Sequence, residues 1–154
     1  MEPKYIIVQA GGKGSRMETF TQNKPKALVP VENLPMIFHL FRKFPEKKYL
    51  IIGDYKEDVL SRYLAAFAEV DYRVISAKGK KGTIAGINSA LAFVSDGESF
   101  LLIWCDLILG EEDGFPYSEG DFIGIAKNFT CRWSYIPRGV YQTLIFLRSM
   151  PVVA

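Results

Sequence analysis

The chain has 154 residues, a length at which a single domain is the usual outcome. Hydrophobic residues make up 49% and charged residues 23%, so the chain can bury an apolar core, and the disordered and collagen-like classes are excluded. With 19 basic and 17 acidic residues, the net charge is only +2 and lacks the basic excess of a dedicated nucleic-acid binder. We therefore predict a globular protein that has no nucleic-acid partner.

The sequence also argues against a membrane or secreted protein. No uncharged apolar stretch reaches the ~18 residues of a membrane-spanning helix, because Asp106 and Arg148 interrupt the two most apolar segments. Residues 1–10 contain only a short apolar run, which does not fit a secretory signal. The two cysteines, Cys105 and Cys131, have no metal-ligand spacing and are compatible with a reducing compartment. We expect a cytoplasmic protein that does not bind membranes.

Short apolar runs alternate with amphipathic patterns along the first two thirds of the chain. The apolar runs predict strands buried on both faces, and the amphipathic patterns predict helices. Pro35 suits the first turn of the first helix, and Pro45 ends its pattern. The predicted strands cover 5–8, 49–52, 72–75 and 100–104, and the predicted helices cover 34–44, 59–67 and 84–94.

Strands that alternate with helices of this length predict a parallel sheet whose connections are right-handed crossovers. The fold class is therefore α/β: a Rossmann-like, doubly wound open sheet, mostly parallel, with helices on both faces. Beyond Gly110 the alternation fades, and two more strands are predicted over 122–125 and 140–147. Because no repeat or linker divides the chain, we predict one domain over 1–154.

A glycine-rich loop follows the first predicted strand, at the edge where open α/β sheets bind ligands. It reads Ala10-Gly11-Gly12-Lys13-Gly14-Ser15-Arg16-Met17. Glycines allow the backbone to approach a ligand closely, and the two cations favour a phosphate, although a plain structural turn is the alternative. Met17 replaces the third glycine of the dinucleotide fingerprint, which disfavours a Rossmann oxidoreductase, and Gly14 replaces the Ser or Thr of the P-loop.

A second motif reads Lys24-Pro25-Lys26-Ala27-Leu28-Val29-Pro30-Val31, and Pro35-Met36-Ile37 follows it. In this order and spacing, the glycine loop and these segments resemble the N-terminal signature of the sugar-1-phosphate nucleotidylyltransferases. Gly82-Thr83 is similar to the family segment that lies against the nucleobase and the sugar. Asp106 is similar to the family aspartate that binds Mg²⁺, and a carboxylate at the end of a buried strand is costly unless it meets a cation.

The resemblance implies an activity and a role for each site residue. A phosphomonoester would attack the α-phosphorus of a nucleoside triphosphate and release pyrophosphate, with Mg²⁺ as the cofactor. The catalytic residues would be Arg16, on the β- and γ-phosphates, and Lys26, between the α-phosphate and the incoming phosphate. Asp106 would hold the metal. The nucleotide-binding residues would be Ala10, Gly11, Gly12, Lys13, Gly14, Gly82 and Thr83.

The base and the acceptor stay open at this stage. A sugar 1-phosphate is the default acceptor. Phosphocholine or another small phosphate ester of capsular and other surface-polysaccharide synthesis is an alternative, because the short insert over 21–25 also fits those cytidylyltransferases. A molybdopterin-type guanylyltransferase shares the glycine loop but matches the Lys24-Pro25-Lys26 segment less well.

The resemblance covers the nucleotide-binding half of the family. Family members have a longer second half, which supplies acceptor-binding residues and a second metal ligand, and no position after Asp106 matches that ligand. We therefore expect a nucleotide-binding part over 1–110, a partial acceptor-side part over 111–154, and a fold that is incomplete at its C-terminal side. Either the chain is an active nucleotidylyltransferase, which could complete its acceptor site with a second subunit of a homo-oligomer, or it binds nucleotide without turnover.

Overall fold

The computed structural model describes residues 2–80 and 82–110 and two short strands further along the chain. The strands are β1 Tyr5–Gln9, β2 Pro30–Val31, β3 Leu34–Pro35, β4 Lys48–Gly53, β5 Asp71–Ser76, β6 Phe100–Trp104, β7 Ser134–Tyr135 and β8 Gln142–Thr143. The α-helices are α1 Met36–Lys43, α2 Glu57–Phe67 and α3 Thr83–Leu91. Two short 3-10 helices, Ser15–Thr21 and Lys26–Leu28, lie between β1 and β2.

Four of the strands form a parallel sheet in the order β5-β4-β1-β6. The chain moves outward from β1 through β4 to β5 and then returns to the other side of β1 to form β6. The strand order therefore reverses between β1 and β6, and such a reversal is where open α/β sheets bind ligands. The predicted Rossmann-like parallel sheet is confirmed, and we call the end at which these four strands finish the carboxyl edge.

Helices cover both faces of the sheet, as predicted. Ile6 and Val8 of β1 face a core that also contains apolar side chains of α1 and α2. Ile7 of β1 and Leu50 of β4 face the opposite core, to which α3 contributes Ala90. Because the strand residues on both faces are buried, these strands appear in the sequence as continuous apolar runs.

The first helix begins later than its periodicity predicts. Leu34–Pro35 is not helical but pairs antiparallel with Pro30–Val31 in a small hairpin. Pro35 precedes the helix with an extended ψ of 139°. Glu32 and Asn33 between the strands have φ of 49° and 64°, the conformation that a two-residue hairpin turn requires. The prediction that Pro35 lies in the first helical turn is therefore wrong.

The other predicted elements agree with the structure except at their ends. The second helix begins two residues earlier, at Glu57, and the third ends at Leu91 rather than at residue 94. The strand predicted over 122–125 lies outside the described residues. Within 140–147 the structure describes the strand Gln142–Thr143, which pairs antiparallel with Ser134–Tyr135. Among the described helices, none is long and apolar enough to cross a bilayer.

Candidate active site

The two segments that the sequence assigns to the site lie side by side at the carboxyl edge. Gln9, the last residue of β1, pairs with Trp104, the last residue of β6. The Cys105 N–H continues the pairing by donating to the Gln9 carbonyl at 3.1 Å. The glycine loop that follows Gln9 and the carboxylate of Asp106 therefore leave the sheet from neighbouring strands, at the point where the strand order reverses.

The glycine loop turns at Gly14 and is open at Gly12. Gly14 has φ of 62° and ψ of 35°, and its carbonyl accepts the Met17 N–H at 2.8 Å, which begins the 3-10 helix. A Cβ at Gly14 would lie 2.9 Å from Thr21 Cγ2 and 3.3 Å from Lys26 Cβ. By contrast, a Cβ at Gly12 would have no atom within 4 Å. Gly14 is thus needed for the fold of the loop, and Gly12 leaves backbone accessible to a ligand.

Tyr55 and Thr21 hold the loop in this shape. The Tyr55 hydroxyl donates to the Thr21 carbonyl at 2.9 Å, and the Tyr55 N–H donates to the Gly11 carbonyl at 3.4 Å. The Thr21 hydroxyl in turn contacts the Gly14 carbonyl at 3.3 Å. The sequence motifs give neither residue a role, although Tyr55 follows β4 at the same edge of the sheet.

Lys26 and Asp106 form an ion pair through Nζ and Oδ2. Their side chains are 24% and 38% exposed, so solvent reaches both groups. Lys26 begins the second 3-10 helix, in which Ala27 and Leu28 are buried, and this anchors its backbone. The structure thus brings together a predicted catalytic residue and the predicted metal ligand.

Burial affects the ionisation of Cys105, the neighbour of Asp106. The thiol is buried, and this burial, together with the Asp106 carboxylate, raises its pKa from 9.0 to about 12, while the Lys26 ammonium opposes the shift. The thiol therefore stays protonated at neutral pH and is a packing group of the core rather than a nucleophile or a metal ligand.

Lys13 and Arg16 are the cations of the loop itself. Both side chains are exposed, and neither forms an ion pair with an acidic side chain of the described residues. Their charge is therefore available to an anion that approaches the open backbone at Gly12.

Gly82 and Thr83 lie at the start of α3, next to the end of β1. Gly82 has φ of 82° and precedes the helix. The Gln9 side-chain amide donates to the Thr83 carbonyl at 3.3 Å, which ties the start of α3 to the strand that carries the glycine loop. The two residues predicted to bind nucleotide are thus at the same edge as the loop, and Gln9 is a further residue that the motif did not indicate.

The donor chemistry at Asp106 fits Mg²⁺. Among the described residues, no group of three or more His, Cys, Asp or Glu side chains is arranged to hold a metal ion. Mg²⁺ in nucleotide sites is commonly held by one or two carboxylates, with phosphate oxygens and water completing the octahedron. One partly exposed carboxylate beside the glycine loop is compatible with that pattern, so the residues present at Asp106 fit Mg²⁺.

A family model described as MobA-like NTP transferase domain matches residues 6–114. The chain belongs to this family. The matched region contains all but the first residue of β1, the glycine loop, Lys26, Gly82-Thr83 and Asp106. The predicted membership of the nucleotidyltransferases is confirmed.

Curated relatives are similar over part of their length. The chain is 30% identical to the bifunctional protein GlmU of Methanococcus maripaludis over 105 residues, which cover 66% of this chain and 24% of that protein. It is 30% identical to AglF of Haloferax volcanii, a UTP–glucose-1-phosphate uridylyltransferase, over 114 residues, which cover 70% of this chain and 45% of AglF. The chain thus matches less than half the length of these relatives.

Solved structures share the fold at low sequence identity. A UDP-glucose pyrophosphorylase complexed with UDP-glucose matches with a TM-score of 0.73 and 15% identity, covering 97% of this chain and 76% of that one. The CTP:phosphocholine cytidylyltransferase of Streptococcus pneumoniae matches with a TM-score of 0.67 and 17% identity, covering 97% and 68%. These likenesses confirm the fold class.

Proposed function

We propose that this chain carries the nucleotide-binding and catalytic part of a nucleotidylyltransferase. A phosphate-ester oxygen attacks the α-phosphorus of a nucleoside triphosphate, the bond to the bridging oxygen breaks, and pyrophosphate leaves. One observation carries the proposal: a single sheet edge holds the backbone open at Gly12, the accessible cation Arg16, and the Lys26–Asp106 pair. Membership of the NTP transferase family supports the same reaction.

The described residues supply positioning and positive charge, which are the main contributions of a protein to phosphoryl-group transfer. Arg16 donates paired hydrogen bonds from its planar guanidinium to the β- and γ-phosphates, a geometry that lysine cannot copy. Lys26 lies between the α-phosphate and the incoming phosphate and offsets the repulsion between the two anions. No covalent enzyme intermediate is needed.

Asp106 would hold Mg²⁺, as its exposed carboxylate at the carboxyl edge allows. Bound there, the ion supplies charge neutralisation to the triphosphate. The role of Asp106 is then to fix the position of the triphosphate relative to Lys26, its neighbour in the site. Omission of Mg²⁺ should abolish turnover.

A sugar 1-phosphate is the acceptor that the comparisons favour. AglF and the N-acetylmuramate α-1-phosphate uridylyltransferase of Caulobacter vibrioides are both 30% identical to this chain, and both are named for sugar-phosphate substrates. The phosphocholine cytidylyltransferase is similar only in fold, at 17% identity. Phosphocholine is therefore the second candidate. Residues outside the described part of the chain, or a second subunit, would complete the acceptor site around Lys26.

The test is release of pyrophosphate from each of CTP, UTP, dTTP, GTP and ATP with Mg²⁺, in the presence of glucose 1-phosphate or phosphocholine. We expect Arg16→Ala and Lys26→Ala each to lower turnover by more than about a hundredfold, the usual loss for one transition-state contact. Lys24→Ala is the matched control and should stay within threefold of wild type. Activity within threefold of wild type in both test variants would refute the assigned roles.

The competing function is nucleotide binding without turnover. In that case no combination of triphosphate and acceptor releases pyrophosphate, whereas a triphosphate still binds and Arg16→Ala weakens its binding. Binding that is insensitive to Arg16 would refute both functions, because both place the triphosphate on the glycine loop.

A further inference from the structure

The Lys26–Asp106 ion pair connects the two groups that the proposed function assigns to different ligands. Lys26 follows the glycine loop, Asp106 follows β6, and 80 residues separate them in sequence. We propose that Asp106 restrains Lys26 in the ligand-free site, so that a phosphate must displace this carboxylate before Lys26 can bind it. Asp106 is then a positioning residue for Lys26 in addition to its proposed role toward Mg²⁺, and the inference rests on the proposed function for the location of the phosphate.

The backbone of Lys26 is fixed, and only its side chain is able to change partner. Ala27 is fully buried and Leu28 is 5% exposed, so the 3-10 helix that Lys26 begins is anchored in the core. On the other side the Gly14 backbone lies close to Lys26, since a Cβ built at Gly14 would be 3.3 Å from Lys26 Cβ. The ammonium at the end of a flexible four-carbon chain is therefore the part of Lys26 that moves between the carboxylate and a phosphate.

Among the described residues, Asp106 is the acidic side chain that pairs with Lys26. The adjacent Cys105 side chain is buried in the core, so it does not replace the carboxylate. A phosphate that binds Lys26 must therefore displace this one carboxylate. The free energy of the ion pair lowers the affinity for phosphate when no metal is bound.

The shared pair couples the two ligands. A cation on Asp106 removes the carboxylate from Lys26, and a phosphate on Lys26 releases the carboxylate for a cation. The affinity for the first ligand is lowered by the free energy needed to separate the pair. The second ligand then binds to a site in which the pair is already separated. By linkage the effect is reciprocal, so each ligand raises the affinity for the other.

The decisive measurement is calorimetric titration of the full chain and of Asp106→Asn with inorganic pyrophosphate, once in EDTA and once in excess Mg²⁺. In EDTA we expect Asp106→Asn to bind pyrophosphate about fivefold more tightly, the upper range for a partly exposed ion pair. In Mg²⁺ the same variant should bind at least about tenfold more weakly, since it has lost a metal ligand. A merely structural role of Asp106 would weaken binding under both conditions, and that result would overturn the inference.

Two further variants distinguish an effect of the ion pair from a general effect of removing negative charge. Asp54→Asn removes a carboxylate that follows β4 at the same edge but is not paired with Lys26, so its effect in EDTA should be smaller than that of Asp106→Asn. In the Lys26→Ala background, Asp106→Asn should no longer tighten pyrophosphate binding. Equal tightening with and without Lys26 would overturn the proposal.

A second readout needs no ligand. Acylation of lysines by an N-hydroxysuccinimide ester, followed by peptide mass spectrometry, should modify Lys26 several-fold faster in Asp106→Asn than in wild type, with Lys24 unchanged as the internal control. If pyrophosphate binds to none of the variants, the proposed function fails, and this measurement still decides whether Asp106 restrains Lys26. An unchanged rate at Lys26 would overturn the restraint.

Discussion

Tyr55 and Thr21 fix the conformation of the glycine loop through contacts that leave its ligand-facing side open. The Tyr55 hydroxyl donates to the Thr21 carbonyl at 2.9 Å, while the Thr21 hydroxyl contacts the carbonyl of Gly14 at 3.3 Å. Backbone N–H groups bind phosphate well only if the loop already has the required shape, because ordering it on binding lowers the affinity. We therefore expect these two uncharged side chains to contribute to nucleotide affinity without touching the nucleotide.

Tyr55→Phe tests this contribution, because it removes one hydroxyl and keeps the ring. One lost hydrogen bond is worth about 1 kcal/mol, so we expect nucleotide affinity to fall about fivefold and the melting temperature by a few degrees. Tyr63→Phe is the matched control, since Tyr63 makes ring contacts with Phe38 and Phe67. Titration calorimetry and thermal unfolding measure both effects. Equal losses of affinity in the two variants would contradict the role of the Tyr55 hydroxyl.

The buried thiol of Cys105 makes stability depend on pH in the alkaline range. Its pKa is raised from 9.0 to about 12 by burial and by the Asp106 carboxylate. Above about pH 8.5 the unfolded chain releases the thiol proton whereas the folded chain keeps it, so the free energy of unfolding falls as pH rises. This contribution to stability is complete below about pH 8 and is progressively lost toward the folded-state pKa.

Urea unfolding between pH 8 and 10 measures this dependence in a Cys131→Ser background, which leaves one thiol. The slope due to Cys105 should approach about 1.4 kcal/mol per pH unit at the upper end. Adding Cys105→Ala should lower stability at pH 7, because it removes a buried group, and should flatten the slope. Identical slopes with and without Cys105 would show that the thiol ionises equally in both states.

At the scale of elements, the sequence predicts the central sheet well and the small elements poorly. Three of the four parallel strands, β1, β4 and β6, are buried on both faces and therefore form apolar runs that can be recognised without any partner, whereas the edge strand β5 is buried only at Ile75. The hairpin Pro30–Val31 with Leu34–Pro35 has strands of two residues, too short for any periodicity. Its turn depends on positive φ at Glu32 and Asn33, which are not glycines and give no turn signal together.

The sequence likewise predicts some residues of the site well and others poorly. Its motif residues are recognisable because they cluster in sequence, as in the glycine loop and the segment around Lys26. Their partners are not, because the contacts join residues that are far apart: 74 residues separate Gln9 from Thr83, and 34 separate Tyr55 from Thr21. Only the strand order brings such residues to one edge, and a local pattern carries no information about that order.

Gly12 and Gly14 separate the two functions of a glycine loop, which are to turn the chain and to admit a ligand. Gly14→Ala forces a Cβ to within 2.9 Å of Thr21 Cγ2 at a φ of 62°. Left-handed backbone alone costs a residue other than glycine about 1–2 kcal/mol, so the melting temperature should fall by several degrees.

Gly12→Ala meets no atom within 4 Å and should leave the melting temperature within about a degree of wild type. It should nevertheless weaken nucleotide binding, because its methyl group occupies the side from which a phosphate approaches the backbone. Thermal unfolding and calorimetric titration of both variants distinguish the two effects. Unchanged nucleotide binding in Gly12→Ala would show that the ligand does not approach the loop from this side.

At the scale of the molecule, the carboxyl edge collects segments from every part of the described sheet. The glycine loop follows β1, Asp54 and Tyr55 follow β4, Gly82 and Thr83 follow β5, and Asp106 follows β6. A triphosphate held by the loop and by Asp106 therefore bridges strands on both sides of the reversal in strand order. Binding of a triphosphate should accordingly raise the free energy of unfolding of the whole sheet and not only of the loop.

Thermal unfolding with CTP, UTP, dTTP, GTP and ATP, each with and without Mg²⁺, measures this linkage. A triphosphate at a hundred times its Kd adds about 2.7 kcal/mol, which for 154 residues corresponds to roughly 5–10 °C. We expect the preferred base to give this shift only with Mg²⁺ and to lose most of it in Arg16→Ala, whereas Lys24→Ala keeps it. An equal shift of the melting temperature with all five triphosphates would mean that the chain recognises the phosphates and not the base. No shift with any triphosphate would mean that the described sheet does not retain a nucleotide by itself.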